Sequence, residues 1–335
     1  MGTGDGATGT VSSIATIPPI IGNSPALARL VDLARRFAET PHPILLVGET
    51  GTGKEVFARN IHAWSRRRGR LVDLNCGAFP AELIEGLLFG TRAGSYTGAV
   101  DSQGLIAAAQ GGTLFLDELH CLPLAGQVTL LRLLDTGEVQ RLGDERPRLV
   151  RFRLVAAVQE DIRARIASGD FRHDLFQRIA GYVLELPSLA ERPEDLMLLA
   201  HHFAEREGRD LHPACERVLR QQTWPGNIRE LKFAIQRAAV LAEGELITPV
   251  VLAKSLAIMP PELGVCGSAF PPDLDVLEAC ETHRWHAQRA AAGLGISRIT
   301  LWRRLQALGL SARAAKQQSR IVSSVAYSSR KARVP

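Results

Sequence analysis

The chain has 335 residues, of which 46% are hydrophobic and 22% charged, so it is long enough for two or three compact units with a buried core. No apolar run approaches the roughly eighteen residues that a membrane-spanning helix needs, and the first residues lack the basic segment of a secretory signal peptide. The five cysteines are scattered without the C-x-x-C spacing of a zinc site or the pattern of a disulfide framework. We therefore expect a soluble, cytoplasmic protein.

The formal net charge is +5, but the basic residues are distributed unevenly. From Thr282 to Pro335 there are eleven Lys or Arg and no Asp or Glu, so the preceding 281 residues hold the other 29 basic residues and all 35 acidic ones. Positive charge concentrated at one end is typical of a segment that binds nucleic acid. The alternative is a merely solvated tail in a chain that is rich in arginine.

The first predicted elements are a disordered segment, a helix and a strand. Residues 1–19 are rich in Gly, Thr and Ser, and we expect them to be disordered. Ser24 and Pro25 provide a helix cap and a first-turn proline, and apolar residues at helical spacing follow as far as Phe37. The apolar run from Ile44 to Val47 then predicts a buried strand.

A glycine-rich loop follows this strand. Its residues are Gly48, Glu49, Thr50, Gly51, Thr52, Gly53, Lys54 and Glu55. Glycines allow backbone N–H groups to surround a polyphosphate, the start of the next helix adds a favourable dipole, and Lys54 can reach the terminal phosphates. The loop therefore predicts an ATP or GTP site. Glu55 stands where the general motif has a hydroxyl ligand for Mg²⁺, so the metal must use other ligands.

An aromatic residue lies between glycines further along the chain. The segment reads Gly94, Ser95, Tyr96, Thr97, Gly98 and Ala99, and no regular apolar pattern surrounds it. We interpret it as an exposed loop whose aromatic tip contacts a partner, because an exposed ring without a partner is unfavourable. A tight turn with the ring folded onto the core is the alternative.

Two further strands are predicted to end in polar residues. The run from Gly111 to Leu116 ends in Asp117 and Glu118. In a phosphate-loop nucleotidase the first acid holds Mg²⁺ and the second polarises the attacking water. The strand from Phe152 to Val158 ends at Gln159, which is suited to sensing the γ-phosphate. Because strands alternate with helices, we predict a parallel α/β sheet.

The next segments are predicted to be helical. Arg172 and Arg178 lie six residues apart beside apolar anchors, and we interpret them as reaching the nucleotide of a neighbouring subunit, with surface solvation as the alternative. Beyond Leu186 the pattern is helical to about Leu256 and predicts a small lid. In this lid Asn227 is expected to cap a helix whose first turn points Arg229 towards the nucleotide. Four prolines between 257 and 272 predict a linker.

The basic end predicts a helix-turn-helix. The two helices run from Ala287 to Leu294 and from Ser297 to Leu308, and Gly295 supplies the sharp bend between them. Leu301, Leu305 and Leu308 are expected to form the buried face of the second helix. Its outer face offers donors suited to phosphates and guanine edges, namely Ser297, Arg298, Thr300, Trp302 and Arg303.

With these motifs in place, residues 20 to about 310 resemble bacterial enhancer-binding activators of sigma-54 RNA polymerase, which belong to the AAA+ class. In that family Glu after the loop lysine is usual, so Glu55 is no departure. The segment from Gly94 to Ala99 is similar to the family's G-A-F-T-G-A loop, which contacts sigma-54, with Ser95 for Ala and Tyr96 for Phe. The C-terminal segment resembles the factor-for-inversion-stimulation type of helix-turn-helix, which binds enhancers.

The resemblance implies an α/β fold with several parts. An AAA+ parallel-sheet subdomain is expected over 20–188, a helical lid over 189–256, a linker over 257–272, a helix-turn-helix domain over 273–312 and a basic disordered tail over 313–335. Only about two dozen residues precede the first helix. We therefore expect no N-terminal sensory domain, and regulation by a separate inhibitor or co-activator protein or by control of the protein's synthesis.

The resemblance also implies roles in ATP hydrolysis. Asp117 would be the magnesium ligand, Glu118 the water-activating acid and Asn75 the switch that restrains Glu118. Gln159 stands where the family usually has Asn at the γ-phosphate sensor.

Three arginines complete these expected roles. Arg172 and Arg178 resemble the family's arginine fingers, which act on a neighbouring subunit, and Arg229 resembles its second sensor.

The implied function is that of an ATPase ring, expected to be a hexamer, that uses ATP and Mg²⁺. Bound at enhancer DNA, it would drive the Tyr96 loop against sigma-54 and convert the closed RNA polymerase complex into an open one. A DNA-binding regulator that kept the fold but lost remodelling is the alternative, since Ser95 and Gln159 depart from the family pattern. An AAA+ ATPase with another client is a third possibility.

Overall fold

The computed structural model describes residues 17–94, 100–159, 161–258, 274–283 and 286–307. The chain divides into two compact units, Met1–Arg192 and Pro193–Pro335. The expected N-terminal tail up to residue 16, most of the linker and the basic tail therefore lie outside the described residues. None of the described helices is long and apolar enough to cross a membrane.

The first unit alternates helices with strands, as the sequence predicts. Its helices are α1 (Pro25–Ala38), α2 (Lys54–Trp64), α3 (Ala81–Phe89), α4 (Gly104–Ala108), α5 (Leu124–Thr136), α6 (Ile162–Ser168) and α7 (His173–Ile179). Its strands are β1 (Ile44–Val47), β2 (Leu71–Asn75), β3 (Thr113–Asp117), β4 (Glu138–Val139), β5 (Arg148–Leu149), β6 (Arg153–Val158) and β7 (Tyr182–Glu185). A 3-10 turn covers Leu119–Cys121.

Five strands form one parallel sheet in the order β2-β3-β6-β1-β7. The predicted α/β fold is thereby confirmed. After β1 the chain crosses to β2 at the far edge, so the strand order reverses beside β1. In open α/β sheets, ligands bind outside the carboxyl ends of the strands at such a switch point.

Both faces of the sheet are covered. Leu45 belongs to one buried cluster, whereas its neighbours Ile44 and Leu46 belong to the other. Side chains alternate between the two faces of a strand, so burial on both faces requires a continuous apolar run. This requirement explains why β1 is apolar throughout.

One fully buried side chain in the sheet is charged. Arg153 of β6 donates from Nη1 to the carbonyl oxygen of Ala38 and from Nη2 to that of Phe37, both over 2.5 Å, at the end of α1. Burial lowers the pKa of this guanidinium to about 10. The last carbonyl groups of a helix attract cations, so Arg153 anchors α1 to the sheet.

The second unit is mainly helical. It contains α8 (Asp195–Arg206), β8 (Asp210–Leu211), α9 (Cys215–Arg220), α10 (Asn227–Leu241), β9 (Leu246–Ile247), α11 (Pro249–Ala257), α12 (Leu274–Thr282), α13 (Ala287–Gly293) and α14 (Arg298–Ala307). The expectation of a purely helical pattern up to Leu256 was wrong in one detail, because β8 and β9 pair in parallel. Strands of two residues are too short to show an alternating pattern.

The last three helices share a small core. Val276, Ala290, Leu301 and Leu305 are buried in it, as predicted for the two leucines, while Leu308 lies outside the described residues. Gly295, between α13 and α14, has a φ of 65°, which glycine adopts without a steric penalty. The predicted bend is therefore present.

Candidate nucleotide site and DNA-binding helix

The glycine-rich loop connects β1 to the start of α2. Gly51 has a φ of 81° and Gly53 a φ of 104°, both in the left-handed region that favours glycine. Gly53 caps α2, so the N–H groups of the first helical turn adjoin the loop. A helix start preceded by such a loop is an anion-binding arrangement.

Cationic side chains hold the loop in shape. Lys54 Nζ donates to the carbonyl oxygens of Gly48 and Glu49, over 2.7 and 2.8 Å. Thr52 is buried, its Oγ1 donates to the carbonyl oxygen of Glu49 over 2.9 Å, and its own carbonyl accepts from Arg192 Nη2 over 3.0 Å. The loop residues therefore fit a polyphosphate, with a lysine ammonium at the loop. The Arg192 contact was not predicted.

Glu55, the residue after the lysine, makes a helix-surface ion pair. Its carboxylate lies 2.7 Å from Arg59, which also reaches Asp73 over 3.1 Å. Exposed ion pairs of this kind contribute little to stability. A contribution of Glu55 to nucleotide binding remains a prediction.

The two predicted catalytic acids lie at the carboxyl end of β3. Asp117 is aligned with Asn75 at the end of β2, and its Oδ1 accepts from the backbone N–H of Glu118 over 3.0 Å. Burial raises the pKa of Asp117 above its usual range, and the nearby charges of Glu118 and Glu55 raise it further, whereas Lys54 and the Glu118 N–H oppose this.

Such a carboxyl group is stabilised in its charged form by a cation. Asp117 therefore fits a Mg²⁺ ligand. Among the described residues, no group of three or more His, Cys, Asp and Glu could hold a metal ion. Protein sites that bind Mg²⁺ together with substrate phosphates commonly supply only one or two carboxylates, and Asp117 would be one of them.

Asn75 and Glu118 meet beside a glycine. The chain leaves the strand conformation at Glu118, which has a φ of 51°. Asn75 Oδ1 accepts from the N–H of Gly77 over 2.7 Å. A Cβ atom added at Gly77 would lie 2.3 Å from Glu118 Oε2 and 3.3 Å from Asn75 Oδ1, so both side chains lie on the same side of this glycine.

Gln159 follows β6 and contacts the glycine-rich loop. Its Nε2 donates to Thr50 Oγ1 over 3.3 Å. The loop, Asn75, Asp117 and Gln159 all follow or end neighbouring parallel strands, so they share one edge of the sheet.

The two predicted finger arginines lie at the two ends of α7: Arg172 caps its start and Arg178 belongs to its last turn. Arg172 makes a two-pronged contact with Asp174, with distances of 3.0 and 2.6 Å. Arg178 reaches Asp135 over 3.1 Å and the carbonyl oxygen of Leu134 over 2.6 Å. Within the part of the chain that the structure describes, neither guanidinium hydrogen bonds to the glycine-rich loop. Both are about half exposed, so leaving these partners costs little.

Arg229 belongs to the second unit. It lies exposed in the first turn of α10 and makes no hydrogen bond or ion pair with any other described residue. Asn227 was expected to cap this helix. It is instead the first helical residue, with a φ of 53°, and Glu230 Oε2 accepts from the N–H of Gly226 over 2.8 Å.

The predicted contact loop has a well-formed base. Gly94 is described, but Ser95, Tyr96, Thr97, Gly98 and Ala99 lie outside the described residues. On either side of the loop, Thr91 and Ser102 exchange backbone hydrogen bonds of 3.0 and 2.8 Å.

The hairpin of β4 and β5, which was not predicted, contacts this base. The N–H of Leu142, in its turn, donates to the carbonyl oxygen of Gly90 over 3.0 Å, and the Leu142 carbonyl accepts from the N–H of Arg92 over 2.9 Å.

The predicted DNA-contacting residues lie in or next to α14. Arg298 and Arg303 are exposed. Ser297 Oγ accepts from the Thr300 N–H over 3.0 Å, so it caps the helix. Trp302 is only partly exposed and packs against the core of this unit, rather than lying fully on the outer face as expected.

Comparison with known proteins assigns each part of the chain. Residues 20–185 match the Sigma-54 interaction domain, 190–263 the AAA+ ATPase lid domain and 276–308 the Fis family of bacterial regulatory proteins. The chain is 41% identical over 304 residues to the C4-dicarboxylate transport transcriptional regulatory protein DctD of Rhizobium meliloti, covering 88% of this chain and 65% of that protein.

Other relatives are similar in the same way. The transcriptional regulatory protein ZraR of Salmonella typhimurium is 40% identical over 299 residues, covering 85% of this chain and 68% of that protein. The nitric oxide reductase transcription regulator NorR1 of Cupriavidus necator is 46% identical over 230 residues, covering 66% of this chain and 45% of that protein. The chain thus spans about half to two thirds of the length of these relatives.

Solved structures agree with these matches. NtrX from Brucella abortus in complex with ATP superposes with a TM-score of 0.66 at 28% identity, covering 87% of this chain and 70% of that one. A mutant of RuvB from Thermotoga maritima, at 17% identity and a TM-score of 0.52, covers 89% of this chain and 94% of that one and shares the fold. The resemblance drawn from the motifs is confirmed: the chain belongs to the family of bacterial sigma-54-dependent transcriptional regulators, with an AAA+ lid and a Fis-type helix-turn-helix.

Proposed function

We propose that this protein activates transcription by sigma-54 RNA polymerase, using ATP hydrolysis in an oligomeric ring, a hexamer by family analogy, to open promoter DNA from an enhancer site. The observation that carries the proposal is the convergence of Lys54, Asp117 and Gln159 at one sheet edge, in a chain that also has the Fis-type DNA-binding helices. Such an activator works beside bacterial DNA, so we place it in the cytoplasm.

The nucleotide site would divide its work among side chains of the first unit. Bound MgATP would supply the phosphate bond that is broken and a metal charge that stabilises the developing negative charge. Lys54 would neutralise terminal phosphates, and Asp117 would hold the metal. Glu118 would polarise the attacking water, and Asn75, on the same side of Gly77, would restrain it. ATP as the nucleotide is supported by the similarity to NtrX in complex with ATP.

Three arginines would link hydrolysis to the assembly. Arg172 and Arg178 would act on the nucleotide of the next subunit. The support is that both are about half exposed, and that their ion pairs within the same chain are weak enough to be replaced by contacts with a phosphate. Arg229 would act as a second nucleotide sensor. The exposure of Arg229, without a hydrogen bond or ion pair to any other described residue, is compatible with that role.

The Tyr96 loop would transmit the result of hydrolysis to sigma-54. Two observations support this role. Backbone hydrogen bonds between Thr91 and Ser102 close the base of the loop, and the hairpin of β4 and β5 contacts this base through Leu142. A loop with an anchored base moves with the domain that carries it, whereas a free loop would not transmit force.

Transcription from a sigma-54 promoter with an upstream binding site tests this proposal. Purified protein, sigma-54 holoenzyme and ATP should yield transcripts, and Glu118→Gln should abolish them while leaving DNA binding unchanged. A promoter served by the housekeeping polymerase is the control, because it should not respond. A protein that protects the DNA site but never stimulates the sigma-54 promoter would instead be a plain DNA-binding regulator.

A further inference from the structure

The outer face of α14 contains a large apolar side chain. Ile299 is 81% exposed, whereas Leu301 and Leu305 are 0% and 1% exposed and fix which face of the helix is buried. At about 100° per residue, Ile299, Arg303 and Gln306 lie on the side opposite these leucines. These three residues form what we call the outer stripe, and all three are exposed.

Several neighbouring side chains are engaged within the unit itself. Ser297 Oγ lies 2.9 Å from Thr300 Oγ1 and also caps the helix. Trp302 packs partly against the core, and Arg304 reaches Asp275 over 3.1 Å. The outer stripe is therefore the part of α14 that is best placed to meet a ligand.

The charge around this stripe indicates what that ligand is. The segment from Thr282 to Pro335 has eleven basic residues and no acidic one. Such a segment is attracted to DNA phosphates. In the major groove, the 5-methyl group of thymine is the apolar feature of the base edges, and it is contacted by apolar side chains.

We propose that Ile299 is a specificity-determining residue that reads thymine, by packing its side chain against the 5-methyl group in the major groove. Arg303, one helical turn further along the same stripe, faces the same groove and contributes a polar contact. This inference deepens the proposed DNA-binding function and rests on it.

The test removes only the methyl group. Full-length protein is first used to select and footprint a binding site from random double-stranded DNA. Each thymine of that site is then replaced singly by deoxyuridine, which lacks the 5-methyl group but keeps the base-pairing edge. At one thymine for each bound helix, the replacement should weaken wild-type binding about four-fold, as expected from loss of one buried methyl group.

The variants separate Ile299 from its neighbours. Ile299→Ala should bind thymine and uracil sites equally, and Ile299→Val should keep most of the discrimination. Arg303→Ala is the matched control: it should weaken binding to both sites and preserve the ratio between them. All variants should have the far-UV circular dichroism spectrum and the thermal unfolding curve of the wild-type protein, which shows that they are folded.

Three results would overturn the inference. Wild-type binding could be indifferent to uracil at every position, or the discrimination could survive in Ile299→Ala. Ile299→Ala could also reduce the size of the assembly while DNA affinity stays unchanged, which would make this face a protein contact. Selection of no DNA site at all would remove the proposed function as well, whereas a selected site without a uracil effect would remove only the role of Ile299.

Discussion

Gln159 and Thr50 join the end of β6 to the glycine-rich loop through a hydrogen bond of 3.3 Å from Nε2 to Oγ1. The residue that would sense the γ-phosphate therefore touches the loop that would cradle the phosphates. A substitution at either residue is therefore expected to change the contribution of the other residue to ATP hydrolysis.

A double-mutant cycle measures this coupling. Gln159→Ala and Thr50→Val should each lower the ATPase rate by about two- to ten-fold, the range expected for one hydrogen bond. Because both remove the same contact, the double variant should be no slower than the slower single variant. Fully additive effects would show that the contact plays no part in turnover.

Substitutions of Lys54 and Glu118 should impair different steps, nucleotide binding and hydrolysis respectively. Lys54→Ala should abolish nucleotide binding, because it removes the positive charge of the loop. Glu118→Gln should bind nucleotide normally but hydrolyse it at least about 10²-fold more slowly, because the amide cannot polarise water. Nucleotide titration and phosphate release measure the two steps. The exposed Lys232→Ala variant is the control, and unchanged ATPase in either site variant would refute the assignment.

The arginines should act between subunits. Arg172→Ala and Arg178→Ala should each bind nucleotide and lose hydrolysis. When either is mixed with Glu118→Gln, some activity should return, because a subunit with an intact Glu118 can receive fingers from its neighbour. If mixtures at all ratios stay inactive while mixed oligomers form, the action of these residues in trans is wrong.

Stability should depend on pH through a half-buried histidine. Burial, assisted by the nearby charge of Arg67, lowers the pKa of His62, whose Nδ1 lies 2.9 Å from Thr113 Oγ1. The unfolded chain therefore takes up a proton near its usual pKa of about 6.5, before the folded chain does, and the free energy of unfolding falls as the pH drops through that value.

Urea unfolding between neutral and mildly acidic pH checks this dependence. His62→Gln should make the pH dependence of the unfolding free energy less steep, whereas substitution of the exposed His201 should leave it unchanged. Burial also lowers the pKa of His120, so part of the dependence should remain. An equally steep curve for His62→Gln would assign the effect to other groups.

The nucleotide site was predictable because its parts are local motifs at strand ends. The loop around Lys54 and the pair Asp117 and Glu118 each follow an apolar run, and parallel strands bring such ends to one edge. The apolar spacing also predicted which face of a helix is buried, as the burial of Leu301 and Leu305 shows.

Contacts between distant segments were not predictable. Arg153 looks like an ordinary polar residue at the start of a strand, yet it is buried against the carbonyl groups of Phe37 and Ala38. These partners lie more than a hundred residues away in the sequence, so no local pattern indicates the contact. The hairpin at Leu142 escaped detection because strands of two residues show no alternation.

Promoter opening is the measurement that tests the central claim most directly. A promoter labelled with 2-aminopurine in the segment that melts should be mixed with sigma-54 holoenzyme, purified full-length protein and either ATP or a non-hydrolysable analogue. We expect fluorescence to rise only with ATP, and to stay at background for Glu118→Gln and for Tyr96→Ala even though Tyr96→Ala still hydrolyses ATP. If the wild-type protein hydrolyses ATP and binds its DNA site while the promoter stays closed, the protein is not a sigma-54 activator.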